Sequence, residues 1–237
     1  AALASKPLPR ERRPVRRLRM LPEGERTLRQ FVAANPDEVN SATEVYLQVG
    51  RDEGDDWVLL ALLNQIISKA FYSELRTKQQ LGYIVQCGAN EISGVRGLSF
   101  LVQSKVQPPD VVEERIGAFL RLFRGTLVLL DDAQVREYTA SLAAQFTDVD
   151  NRLDAQSGRL WNECAQRRYD FERPWRNAEK VKRLTRDQLL AFFDRHFADG
   201  SPTRRQLSTH VYAQRIAPPA GQLRVDAISD VFYDPPE

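Results

Sequence analysis

The chain has 237 residues, enough to bury a full core as one domain with at most a small appendage. Lys plus Arg at 34 against Asp plus Glu at 32 leave a formal charge of +2, which excludes the strong overall field of a non-specific nucleic-acid binder. Hydrophobic residues at 42% and charged residues at 28% describe a globular rather than a disordered chain, and two Cys exclude a disulfide scaffold and point to a reducing, cytoplasmic compartment, an organellar one staying open.

Residues 1–24 read as a basic arm or linker: in the first twenty, Lys6, Arg10, Arg12, Arg13, Arg16, Arg17 and Arg19 face a single acid, Glu11, with Pro7, Pro9 and Pro14 between them. A chain that opens on Ala1 rather than Met is expected to continue a longer one. Residues 25–214 read as the folded domain, and residues 215–237, with Pro218, Pro219, Pro235 and Pro236, as a tail.

Within the domain, Val45, Leu47 and Val49 alternate with Glu44, Tyr46 and Gln48, the period of a half-buried strand. Trp57 to Ile67 is apolar apart from Asn64 and Gln65, and with Phe71 on the same side it predicts a helix pressed into the core. Its longest apolar run, Trp57 to Leu63, is far short of the roughly 20 residues that cross a bilayer, so no membrane is expected. Tyr83 to Cys87 predicts a short strand, and Leu98, Phe100 and Val102 another, pairing antiparallel across turn-prone Asn90, Ser93, Gly94 and Gly97.

The second half reads as helical. Pro108 and Pro109 precede Asp110, taken as the cap of a helix with Ile116, Phe119, Leu120, Phe123 and Leu127 on one face. Another helix starts at Asp131 or Asp132 and carries Val135, Tyr138 and Leu142. A third carries an apolar stripe of Leu153, Leu160, Trp161 and Cys164, with Asp148 and Asp150 as its starting signals. Thr185 and Gln188 make a capping box before Leu189, Phe192, Phe193 and Phe197, and Gly200 and Pro202 end that helix. Leu207, Thr209 and Val211 return to strand period. The order predicts an α+β fold, a two-layer domain with a largely antiparallel sheet and helices packed on one face.

The chemistry available from single residues is limited. The chain holds two His, His196 and His210, too far apart for a helical zinc motif in either direction, and it has no Walker phosphate loop and no Gly-x-Gly-x-x-Gly. Cys87 and Cys164 with a His could form a thiol nucleophile or a metal site, but their spacing does not recommend it, and both read as small packed hydrophobes. His196 is expected to be partly buried near a helix C-terminus that tolerates a positive charge, and His210 to point from the sheet away from the core. Lys78 reads as a surface cation and Gly82 as a backbone requirement. By themselves, Tyr83 is a core or rim aromatic and Arg76 a solvated charge at a helix end.

One stretch is more specific. Arg76-Thr77-Lys78-Gln79-Gln80-Leu81-Gly82-Tyr83-Ile84-Val85 follows Asn64-Gln65-Ile66-Ile67-Ser68 and precedes Arg96-Gly97-Leu98-Ser99-Phe100-Leu101-Val102-Gln103-Ser104. In that order it resembles the fourth, C-terminal domain of the insulysin- or pitrilysin-type M16 zinc metallopeptidases, with agreement from about Val39-Asn40-Ser41 to Val211 and including Pro202-Thr203-Arg204-Arg205. The resemblance implies the M16 metallopeptidase-like (LuxS/MPP-like) fold and a place as the last quarter of an enzyme whose two halves close around a peptide chamber. It implies that zinc is a cofactor of the full-length enzyme, with its ligands in another domain and no metal ligands here, so this chain alone is expected to be inactive. It implies partners in the N-terminal half of the same enzyme and in peptide substrates, a dimer of the full-length protein as a further possibility, and neither nucleic acid nor membrane.

The resemblance also carries roles onto two positions. Arg76 and Tyr83 match the Arg and Tyr that reach across the chamber to contact substrate near the scissile bond, with Tyr83 as the residue acting in catalysis. A phenol can donate to a developing oxyanion, and a guanidinium can hold a peptide carbonyl. Two alternatives stand beside this one. The chain could be a non-catalytic peptide-binding or assembly module of an inactive relative, using a sheet edge or an apolar helix face. The arginine-rich arm could bind nucleic acid, with an affinity that falls steeply in salt.

Overall fold

A helix whose first half is apolar on every side must be enclosed there, and the chain is arranged around one. The computed structural model describes residues 18–51, 54–92, 94–166, 168–216, 223–228 and 232–233, with Pro9 and Pro218 besides. The other residues of the basic arm before Leu18, Ser93, and the tail residues Pro219, Pro235 and Pro236 lie outside the described residues. The central helix is α1, Asp56–Phe71, in which Val58 through Leu63, Ile66, Ile67 and Phe71 are all buried. It runs directly into a π-helical turn, Tyr72–Lys78, that nothing in the sequence pattern announces.

The strands are β1 (Leu18–Arg19), β2 (Arg26–Val32), β3 (Ser41–Arg51), β4 (Ile84–Ile92), β5 (Val95–Ser104), β6 (Gln206–Tyr212) and β7 (Phe232–Tyr233). Five of them form one sheet in the order β2-β6-β3-β5-β4, while β1 and β7 pair separately. β2 runs parallel to β6 and the remaining pairs are antiparallel, so the sheet is largely antiparallel as expected. β2 is absent from the sequence reading because Arg26-Thr27-Leu28-Arg29-Gln30 has no clean alternation; it forms along the edge that β6 offers. β4 runs on to Ile92 and β5 begins at Val95, so Asn90 and Gly97, expected in the turn, are paired in the ladder instead. Gly97 lies flat against Tyr46, whose ring a Cβ at that position would overlap, so this glycine serves the sheet and not the turn.

The two edges of the sheet are treated differently. Along β2, the Gln30 N–H donates to the Arg224 carbonyl at 2.7 Å and the Asp226 N–H to the Leu28 carbonyl at 2.9 Å. Among the described residues β4 has no backbone partner on its outer side, although the Ser68 hydroxyl donates to the Cys87 carbonyl at 3.3 Å.

Helices α2 (Pro109–Leu129), α3 (Asp132–Phe146), α4 (Leu153–Ala165), α5 (Arg173–Val181) and α6 (Arg186–His196) follow. α1 and α2 lie on the sheet, and α3, α5 and α6 pack against α1, with α6 also against α2. Phe100, Phe71, Phe119, Phe123 and Phe193 make a relay of ring contacts from β5 through α1 and α2 to α6, with centroids 5.1 to 6.0 Å apart. The capping boxes at Asp131/Gln134 and Thr185/Gln188 are both formed. Asp110 does not cap α2: Pro108 is the capping residue and Pro109 opens the helix, where its missing N–H costs nothing. Among the described residues no helix is long and apolar enough to cross a membrane.

Two expectations about burial reverse. On β6 the buried side chains are Gln206, Ser208, His210 and Tyr212, while Leu207, Thr209 and Val211 take the opposite, half-exposed face. The cause is Glu113 on α2, which sits over β6. Its carboxylate accepts from His210 Nε2 at 2.6 Å, Ser208 Oγ at 2.7 Å, Gln206 Nε2 at 2.9 Å, and Arg26 Nε and Nη2 at 2.7 and 2.6 Å. His210 therefore points into the fold. On α4 the stripe is likewise outward, with Leu153 80% and Trp161 71% exposed, whereas Glu163 is 3% exposed. Glu163 accepts from Arg168 at 2.9 and 3.0 Å and from Arg173 at 3.0 and 2.5 Å. Arg168 also pairs with Glu91 at the tip of the β4–β5 hairpin. Charge rather than apolar contact fixes α4. The helix begins after Arg152, and Asp150 pairs with Arg159 at 2.8 Å rather than starting it.

These buried groups set the response to acid. Burial alone would raise the Glu113 carboxyl, but the bonds from His210, Arg26 and Ser208 outweigh it and bring it to about 2, below its ordinary 4.5. Stability from this group is present above pH 4.5 and is lost as pH falls through 2. Glu113→Gln is expected to cost about 3 kcal/mol at neutral pH and to flatten the acid limb in that interval, measured by urea unfolding across pH. His196 is 6% exposed beside Phe192 and Phe197, and neither ring nitrogen has a hydrogen-bond partner. Burial, with Arg195 and Arg205, lowers it to about 4 from 6.5, so it is neutral and the expected tolerance for positive charge is absent. Because the unfolded chain binds this proton more tightly, stability falls as pH drops from 6.5 to 4, and His196→Leu should remove that slope from the same titration.

Candidate functional site

The segment from the end of α1 to the start of β4 is pinned at two points. Leu75, fully buried in the π turn, and Leu81, 4% exposed, are its apolar anchors. Between them the backbone closes through the Gln79 N–H to the Glu74 carbonyl at 2.9 Å and the Leu81 N–H to the Leu75 carbonyl at 3.0 Å. These wide rings insert extra residues into the helical turn, a device that re-aims side chains and is frequent at functional sites. Gln80 takes φ 51°, a left-handed conformation uncommon outside glycine. Gly82 then passes directly beneath the end of β5, where a Cβ would overlap the Gln103 carbonyl. This confirms a backbone requirement at Gly82 and gives its cause: close approach, not a positive φ.

The path brings Arg76 and Tyr83 together. Tyr83 stands 85% exposed just before β4, one residue short of the strand expected to contain it. The half-buried Arg76 places its guanidinium carbon 5.5 Å from the centroid of the Tyr83 ring, within cation–π range. The ring orients the guanidinium and leaves the phenol hydroxyl and the N–H fork available. Both residues line a groove of about 620 Å³, together with Asn40, Tyr72, Gln80, Leu81, Gly82 and Lys105 among others. Asn40 belongs to a tripeptide already singled out in the sequence. Tyr72 and Lys105 are additions, and no local pattern marks them, since they reach the groove only through the π turn and the end of β5. Lys78 points to solvent and pairs with Glu74 at 2.9 Å.

The remaining candidates lie elsewhere. Burial pushes the Cys87 thiol up to about 12, against the hydrogen bond with Ser68, which leaves it a poor nucleophile. Cys164 is half-buried on α4, and both cysteines are free. His210 is committed to Glu113 and His196 is enclosed by phenylalanines. Among the described residues no group of three His, Cys, Asp or Glu side chains could hold a metal ion.

Residues 62–161 match the family described as PQQ synthase PqqF-like, C-terminal lobe domain 4. A nardilysin-like protein of Arabidopsis thaliana is 29% identical over 214 residues, covering 89% of this chain and 21% of that protein. Insulin-degrading enzyme of Homo sapiens is 31% identical over 188 residues, covering 78% of this chain and 18% of that protein. The chain thus spans about a fifth of the length of these curated relatives. The crystal structure of pitrilysin superposes with a TM-score of 0.71 at 21% identity over 83% of this chain and 21% of that one, a likeness of fold.

Gly82→Ala tests the geometry directly. The added methyl must displace the Gln103 carbonyl, so the variant should melt several degrees lower, a loss on the order of 1–3 kcal/mol, whereas Gly88→Ala, with open space around its Cβ, should change the melting temperature far less.

Proposed function

This chain is a homologue of the C-terminal region of the M16 peptidases, the family of insulin-degrading enzyme, nardilysin and pitrilysin, and from that premise we propose that it forms one wall of a peptide-cutting chamber. The observation that carries this reading is the exposed Tyr83 held beside the Arg76 guanidinium at the mouth of a groove. In the proposal the opposite wall belongs to the N-terminal half of the same enzyme, and the substrate is a peptide in extended form.

The roles follow from donor chemistry. The Arg76 fork holds a peptide carbonyl near the scissile bond by directed hydrogen bonds. The Tyr83 hydroxyl donates to the carbonyl oxygen as water adds and negative charge grows there. A donor placed for that oxygen stabilises the transition state more than the bound peptide. The residues described here do not fit a zinc centre, because one histidine is bonded to Glu113 and the other is sealed among rings. The zinc that the resemblance implies would be held by another part of the enzyme, and this chain alone would not hydrolyse peptides.

The test is hydrolysis of a fluorogenic peptide by the full-length protein, with and without a chelator. Tyr83→Phe should lower turnover roughly a hundredfold, about 3 kcal/mol, with an unchanged melting temperature and a small change in KM. Unchanged turnover would remove the role assigned to the hydroxyl, and chelator-insensitive activity would remove the metallopeptidase reading.

A further inference from the structure

The groove beside Tyr83 has a lopsided charge. Its lining contributes two cations, Arg76 and Lys105, and no carboxylate. Among the described residues neither cation pairs with an acid; Arg76 meets the Tyr83 ring, and Lys105 is exposed on the facing segment after β5. The acids two residues away from the lining bond to neutral groups or to Lys78, not to Arg76 or Lys105. Glu74 accepts from Lys78 at 2.9 Å and from Gln79 at 3.1 Å, and Glu38 accepts both N–H groups of Asn40 at 2.7 Å.

The groove beside α2 shows the opposite arrangement. Its lining carries four arginines and four acids, and three of the arginines pair within it: Arg26 with Glu113 at 2.6 Å, Arg121 with Asp199 at 2.7 Å, and Arg204 with Asp199. The charges of that lining balance. The Arg76 groove is open, and no acid in its lining offsets the positive charge of Arg76 and Lys105. Such a site favours a negative group from outside. A guanidinium fork matches a carboxylate by paired hydrogen bonds, and an ammonium adds a point charge.

We propose that this groove selects peptides that carry a carboxylate, with Lys105 as the specificity-determining residue acting beside Arg76. The inference rests on the peptide-binding reading above and adds the substrate class. The carboxylate has two possible sources, an Asp or Glu side chain or a free C-terminus, and the experiment separates them.

The experiment measures anisotropy of labelled peptides titrated with this chain, which requires no turnover. Four peptides of one sequence differ at one position or one end: an amidated Glu peptide, its Gln and Lys counterparts, and the Gln peptide with a free C-terminus. The Glu peptide, or the free-acid Gln peptide if the C-terminus is the source, is expected to bind about tenfold tighter than amidated Gln, and the Lys peptide more weakly than either. The preference should shrink from about 50 to 500 mM salt. Lys105→Gln should abolish it and Lys105→Glu should reverse it toward the Lys peptide, both at an unchanged melting temperature. Equal binding of all four peptides, or a preference that survives Lys105→Glu, overturns the selectivity while leaving peptide binding intact. No binding of any peptide overturns both the selectivity and the binding role of this chain.

Discussion

The apolar residues of α1, which surround its first half, must stay dry, and the architecture follows from that constraint. A buried Leu or Ile contributes about 1.5–3 kcal/mol, and this helix carries more such residues than any one neighbour can cover. The sheet takes one side and α2, α3, α5 and α6 close the rest. Where the helix runs out of apolar residues it cannot simply stop, because Leu75 still has to be enclosed. The π turn reconciles these demands by carrying the chain to the surface in a wider spiral, and it delivers Arg76 directly after the anchor Leu75 and Tyr83 two residues after the anchor Leu81. The groove is thus a product of how the core ends.

Where α1 does not reach, charge takes over. Glu113 ties α2 to β6 and β2, and Glu163 ties α4 to the segment around Arg168 and Arg173. Each carboxylate is held down by its partners against the rise that burial alone would cause. Buried carboxylates of this kind are costly to desolvate, and removing a single partner is worse than removing all of them. They fix position more than they add stability. On α2 these directed bonds add to a buried apolar face, whereas on α4 the one buried residue among those described is Glu163.

Much of this organisation was legible in the residues. The period of Val45, Leu47 and Val49, the apolar run of α1 and the face of α2 all report burial, and both capping boxes are local chemistry that tertiary contacts leave intact. What stayed hidden depends on a distant partner. β6 alternates in a way that fits two opposite orientations, and only Glu113, far away in the chain, decides for the polar one. The stripe on α4 looks like a core face until Arg168 and Arg173 claim its opposite side. At the groove, the Arg76 to Val85 motif identified two positions, but the path through the π turn and the cation contributed by Lys105 arise from packing that no local pattern encodes.

The uneven treatment of the two sheet edges bears on how the chain behaves in isolation. The strap at residues 224–226 seals β2, whereas among the described residues β4 has no backbone partner on its outer side and carries neither proline nor lysine to discourage a newcomer. Two molecules can therefore meet β4 to β4 and merge their sheets into one continuous ribbon. Self-association through that seam is the hazard to watch when this polypeptide is concentrated alone.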